Sequence, residues 1–179
     1  MGKITFILGG ARSGKSTHAL KLANKYKKVA FIATCEGRDS EMRQRIALHR
    51  KNRPKNWKTF EEPQEVFRLL KEVCGKFELV LIDCLTLLVA NLLLKKTKAS
   101  AIEARVDEII ALLKKGKSDS IIVSNEVGLG IVPDNKLGRD FRDIAGRINQ
   151  IVAQAADEVI FMASGLPLKV KPALPADRE

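Results

Sequence analysis

Apolar residues fall along this chain in two alternating kinds of run. Short runs rich in Val, Ile and Leu have the length and composition of buried strands. Between them lie longer stretches whose apolar residues recur every three or four positions, as on one face of a helix. Met1–Leu8, Lys28–Thr34, Glu78–Asp83, Ser120–Ser124 and Glu158–Ala163 predict five strands. Ser16 to about Lys27, Glu41 to about Lys51, Leu85 to about Leu94, Ala99–Lys115 and Leu137–Ala155 predict helices. A further helix starts at Pro63, carries Val66, Leu69, Leu70 and Val73 on one stripe, and stops before Gly75. Ser40 is placed to cap the helix at 41, and Pro54 disfavours helix at Arg53. Trp57–Phe60 is short and extended. After Gly165 the chain is rich in proline and lysine, and the pattern leaves its order open from about residue 166.

Strands alternating with helices, with no repeat and no linker, predict one α/β domain over residues 1–179 with a mostly parallel sheet flanked by helices. A chain of 179 residues is long enough to bury a real core. No apolar run reaches the roughly 18 residues of a membrane span. A strand at the very start leaves no room for a signal peptide. Cys35, Cys74 and Cys84 are widely spaced and match no zinc pattern, so reduced thiols in the cytoplasm are expected. The net charge of +11 suits either a nucleic acid or a polyanionic small substrate. With cations spread along the chain and only one Trp and one Tyr for base stacking, the small substrate is favoured and no nucleic-acid partner is expected.

The chemistry starts where the first strand ends. Gly9-Gly10-Ala11-Arg12-Ser13-Gly14-Lys15-Ser16 reads G-x-x-x-x-G-K-S between a strand and a helix, the context a phosphate-binding loop needs. Gly9 and Gly14 let the backbone turn tightly against an anion. Lys15 is placed to reach the β- and γ-phosphates and the Ser16 hydroxyl to bind Mg²⁺. Asp83, the acid after four apolar strand residues, either holds Mg²⁺ or caps the next helix. The loop upstream favours the metal. Asn125–Pro133, with two glycines and a proline at the carboxyl edge of the sheet, suits a substrate-facing loop.

Of the two histidines, His18 reads as a helix-surface or packing residue. His49 lies among Arg43, Arg45, Arg50, Lys51 and Arg53. Cationic neighbours disfavour its protonated form, and a neutral imidazole is a nucleophile. The same cations suit a polyphosphate and the pyrophosphate that leaves it. On pattern alone, a nucleophile and an incidental histidine on a solvated basic helix both stand. A plain small-metabolite kinase remains the alternative to a covalent mechanism.

From about residue 3 to 171 the chain resembles the bifunctional adenosylcobinamide kinase/adenosylcobinamide-phosphate guanylyltransferase family of cobalamin biosynthesis. The matching stretches are the loop at 9–16, Phe31–Thr34, Glu41-Met42, Arg45-Ile46, His49-Arg50, Arg53-Pro54, Trp57, Asp83–Thr86, Asn91–Leu93, Ser124–Pro133 and Phe141–Gln150. The block from Asn125 to Gln150 is the most specific. The resemblance implies a RecA-like P-loop NTPase core, a homotrimer and two reactions. A nucleoside triphosphate, ATP or GTP, phosphorylates the hydroxyl of the aminopropanol arm of adenosylcobinamide. GTP then gives GMP to that phosphate through a guanylylated histidine, which falls on His49. Lys15 serves catalysis in the phosphate loop. Nucleotide contacts fall on Gly9, Gly10, Ala11, Arg12, Ser13, Gly14, Lys15 and Ser16, on Thr34, Cys35 and Glu36, on Arg50, Lys51, Asn52 and Arg53, and on Glu61 and Asp83. Ser16 and Asp83 hold Mg²⁺.

Overall fold

Side chains alternate across a strand, so a run that is apolar at every position buries both of its faces. That is what β1 (Ile4–Gly9) does in a computed structural model, which describes residues 1–37, 40, 43–44, 47, 50 and 53–171. Ile4 and Phe6 join one core, and Ile7 joins another on the opposite face. β4 (Leu79–Asp83) divides in the same way, Val80 and Ile82 against Leu79 and Leu81.

The remaining elements are α1 (Lys15–Ala23), β2 (Val29–Ala33), β3 (Lys58–Glu61), α2 (Val66–Val73), α3 (Leu85–Leu94), α4 (Ala99–Lys115), β5 (Asp119–Asn125), α5 (Lys136–Ala155), β6 (Glu158–Ala163) and β7 (Leu166–Lys171). They build one seven-stranded sheet in the order β3-β2-β4-β5-β1-β6-β7. Every pairing is parallel except β6 with β7. α2, α3, α4 and α5 cover one face through Leu70, Leu88, Val106 and Ile148. Among the described residues, the other face is covered by α1, through Ala19 and Ala23, and by Trp57. Among the described residues no helix is long and apolar enough to cross a membrane.

Three differences from the sequence reading have local causes. The first helix stops at Ala23, not near Lys27. The Asn24 N–H closes the last turn on Leu20 O, and Tyr26 leaves the helix to donate its hydroxyl to Asp119 Oδ2 at 2.7 Å. The extended stretch at 57–60 is a true strand, Lys58–Glu61, at the sheet edge. The segment after Gly165 forms β7, turned back on β6 by Ser164 and Gly165 with φ of 49° and 85°. Two consecutive residues at positive φ make the tight turn whose twist matches paired strands. Lys171 at its end donates Nζ to the carbonyls of Ala153, Gln154 and Ala156, at the last turn of α5.

Of the predicted basic helix, Ser40, Arg43, Gln44, Ala47 and Arg50 are described, each helical and exposed. His49, Lys51 and Asn52 lie outside the described residues.

Candidate functional site

In a parallel α/β sheet, ligands bind at the carboxyl edge of the strands. Gly9, Thr34, Glu61, Asp83 and Asn125 all stand at the ends of their strands on that edge, held in register by pairs such as Gly9 with Asn125 and Ala33 with Asp83.

The loop at 9–16 is shaped by its neighbours. A Cβ on Gly9 would lie 2.4 Å from Met162 O, so the backbone of β6 demands a glycine there. Gly14 has φ 93° and caps α1 with no side-chain hydrogen bond, leaving the first-turn N–H groups to point into the loop. Arg12 also takes a positive φ, 56°. Ser13, buried, donates its N–H to Gly10 O at 3.3 Å. Lys15 turns its ammonium inward onto Gly10 O and Ser13 Oγ. Burial pushes the Lys15 ammonium below its ordinary value, with Cys84 and Asp83 acting the other way. An ammonium so placed is poised for an anion. No local pattern points to the support that the β6–β7 turn lends this loop: Gly165 donates its N–H to Ser13 O at 3.0 Å.

Asp83, half-buried, ends β4, two strand spacings from β1, which is about 10 Å. Its neighbour Cys84 is buried, with its thiol pushed up to about 12 by burial first and by Asp83 second. It is no thiolate nucleophile. Thr34 is fully buried, and its hydroxyl donates to Cys84 O at 2.6 Å and accepts from Cys84 N–H at 2.9 Å. Asn91 holds the Thr34 carbonyl at 2.8 Å. Thr34 therefore braces the β2 and β4 ends, while Cys35 and Glu36 continue along the edge. Gln64 donates to Glu36 Oε1 at 3.1 Å.

The remaining predicted residues gather farther along. Glu61 ends β3, four spacings from β1, or about 19 Å. It pairs with Arg50. Arg50, Arg53, Pro54, Lys55, Trp57, Thr59 and Glu61 line a cavity of about 440 Å³. Arg53 lies over β2, its guanidinium 3.9 Å from the Phe31 ring centroid, and Phe31 stacks with Trp57. Its Nε and Nη1 are buried and meet no hydrogen-bond acceptor among the described residues. Burial lowers the Arg53 pKa, and Asp83 counters that shift. A half-buried guanidinium with two such donors suits a phosphate or carboxylate ligand. The edge thus carries two groups of residues suited to an anion, the loop at 9–16 with Lys15 and the cavity with Arg50 and Arg53.

For metal, the residues suit a hard cation. The Ser16 hydroxyl and the Asp83 carboxylate are oxygen donors at the same edge, and the described residues hold no cluster of three or more His, Cys, Asp and Glu. One carboxylate and one hydroxyl beside a phosphate chain is the donor set of Mg²⁺.

Residues 5–170 match the family described as CobU, cobinamide kinase / cobinamide phosphate guanyltransferase. Among curated proteins, the bifunctional adenosylcobalamin biosynthesis protein CobU of Escherichia coli (strain K12) is 41% identical, over 92% of this chain and 98% of that protein. The protein of the same name from Salmonella typhimurium is 40% identical over the same shares. The bifunctional adenosylcobalamin biosynthesis protein CobP of Pseudomonas aeruginosa is 40% identical, over 92% of this chain and 95% of that one. Among solved structures, the RadB recombinase aligns with a TM-score of 0.52 over 89% of this chain and 74% of its own, at 18% identity. That likeness bears on the fold, which is a mostly parallel α/β sheet of the RecA-like P-loop type. A family match over nearly the whole chain, with relatives near 40% identity, shows that the chain belongs to the cobinamide kinase / cobinamide phosphate guanyltransferase family.

Proposed function

We propose that the protein is a bifunctional enzyme of adenosylcobalamin biosynthesis. It phosphorylates the aminopropanol hydroxyl of adenosylcobinamide with ATP or GTP, then transfers GMP from GTP to that phosphate to give adenosylcobinamide-GDP. One coincidence carries this: the family match spans 5–170, and the same span holds an intact phosphate loop with Lys15 turned inward and Asp83 at the same edge. Phosphoryl transfer is mostly positioning and charge neutralisation. Lys15 and the N–H groups of α1 meet the β- and γ-phosphates. Mg²⁺, held by Ser16 and Asp83, supplies positive charge at the phosphates when bound.

For the second reaction, neutral His49 attacks the α-phosphorus of GTP. A P–N bond forms and the bond to pyrophosphate breaks. The phosphate of adenosylcobinamide phosphate then attacks the same phosphorus and releases the imidazole. Two displacements predict retention of configuration there. Arg50, Lys51, Asn52 and Arg53, with Glu61, are the proposed contacts of the guanine nucleotide, a reading supported by the spare donors of Arg53. The working form is proposed to be a homotrimer in the cytoplasm, where nucleoside triphosphates are made.

GTP labelled at the α-phosphate tests the covalent step. An acid-labile, base-stable label on the protein, lost in His49→Ala, is the expected result. A protein that phosphorylates adenosylcobinamide yet never takes the label is a plain kinase, and the transferase half of the proposal is then wrong.

A further inference from the structure

β5 lies between the strand that feeds the phosphate loop and the strand that ends in Asp83. Its last residue, Asn125, pairs with Gly9, and Glu126 N–H donates to Gly9 O at 2.9 Å. Strand alternation puts the Asn125 side chain on the α1 side of the sheet with Val123 and Cys84, the residue that, with Asp83, acts on the Lys15 ammonium. Its carboxamide Nδ2 lies 3.9 Å from Cys84 Sγ, a sulfur too weak an acceptor to tie it down.

The backbone of Asn125 is held on both sides by a closed ring of buried hydrogen bonds. Thr86, Ser124 and Asn149 are 4%, 1% and 5% exposed. Asn125 N–H donates to Thr86 Oγ1 at 2.6 Å, and Thr86 and Ser124 hydroxyls lie 3.0 Å apart. Ser124 donates to Asn149 Oδ1 at 2.7 Å, and Asn149 Nδ2 donates to Asn125 O at 3.1 Å. With the Ser124 proton committed to Asn149, the Thr86 hydroxyl donates to Ser124. Every link then has one direction. α5 contributes Asn149, α3 contributes Thr86, and neither touches the phosphate loop by this ring. A buried polar ring has to be complete to be tolerated, and this one converges on a single peptide at the carboxyl edge.

We infer that the Asn125 carboxamide donates a hydrogen bond to the phosphoryl group transferred in the kinase step, and that Asn149 is the positioning residue that sets it there through the ring. The carboxamide forms no covalent bond and takes no proton. It supplies an N–H to the negative charge spread over the transferring oxygens, and the ring removes its freedom to move away. The inference rests on the proposed role of the loop at 9–16 as the triphosphate site.

The test uses the full chain with adenosylcobinamide and, separately, MgATP and MgGTP. Asn125→Ala is expected to lower kcat about tenfold to a hundredfold, with nucleotide KM within about threefold, because the contact serves the transition state. Asn125→Asp is expected to be slower still, since a carboxylate repels the phosphoryl oxygens. A side chain that only supports the fold would tolerate this near-isosteric change better than alanine, so Asp matching or outperforming Ala overturns the contact. Asn149→Ala is expected to lower kcat by a smaller factor. Adding it to Asn125→Ala should change nothing beyond twofold, because it acts through that side chain. Additive losses overturn the positioning role. Should Asn149→Ala fold poorly, Ser124→Ala opens the same ring and is judged by the same criterion. Lys15→Ala separates the two levels. If Lys15→Ala keeps wild-type nucleotide affinity and turnover, the loop is not the triphosphate site and both readings fall. If Lys15→Ala is inactive while Asn125→Ala stays within twofold of wild type, only the present inference falls.

Discussion

Tyr26 shows how one side chain records its surroundings. It is the chain's single tyrosine, it donates to Asp119 Oδ2, and burial followed by that bond raises its pKa to about 12. The folded value lies above the unfolded one of about 10. The stabilisation is therefore complete below pH 10 and is lost as pH rises through 12. Absorbance at 295 nm reads this residue alone, and should give a midpoint near 12 in the native protein and near 10 in urea. A native midpoint of 10 would mean that the Tyr26–Asp119 bond is absent in solution. At this scale much of the candidate site was legible. Glycines at 9 and 14, a lysine and a terminal aspartate carry their meaning in local order. The Arg53–Phe31 contact and the ring around Asn125 were not, because the residues that touch are 22 to 39 positions apart and no spacing rule links them.

At the scale of elements, α5 is fastened at both ends by side chains. Asn135 accepts from Gly138 N–H at 2.7 Å at its start, and Lys171 meets three carbonyls at its finish. Asn135→Ala is expected to destabilise the protein by about 1 kcal/mol, as lost N-caps do. Lys171→Met removes a charge-assisted contact with carbonyls at the negative end of the helix, and about 1–2 kcal/mol is expected. The ends of this 20-residue helix are about 30 Å apart, so the losses should add in the double variant. Urea unfolding measures all three. A double variant no weaker than either single one would show that the helix ends are not separate. The middle of the sheet was readable from its apolar runs, and α3 and α4 came out with the expected ends. The strand that carries Lys171 was not. Pro167, Lys169 and Lys171 make it look like a tail, and its Leu166, Leu168 and Val170 stay exposed. The Ser164-Gly165 pair was its one local turn signal.

Across the described residues, α2 to α5 pack on one face of the sheet, and α1 with Trp57 on the other. Local opening follows the number of buried contacts an element makes. Amide hydrogens of α1 are thus expected to exchange faster than those of α3 to α5, and to slow when MgGTP is added. Equal exchange in all helices, reached only by global unfolding, would contradict this. The class of fold was legible in the chain because strand and helix patterns alternate. The division of the helices between the faces was not, since the run of apolar residues in a strand is the same whichever side a helix packs on.

The division of the helices between the two faces also has a mechanical meaning. The phosphate loop runs directly into α1, so a movement of the loop on meeting a ligand is passed to α1 before it reaches the helices of the opposite face. The face that carries α2 to α5 can stay still as a foundation while α1 adjusts, and ligand exchange need not disturb the fold that holds the strand ends in line.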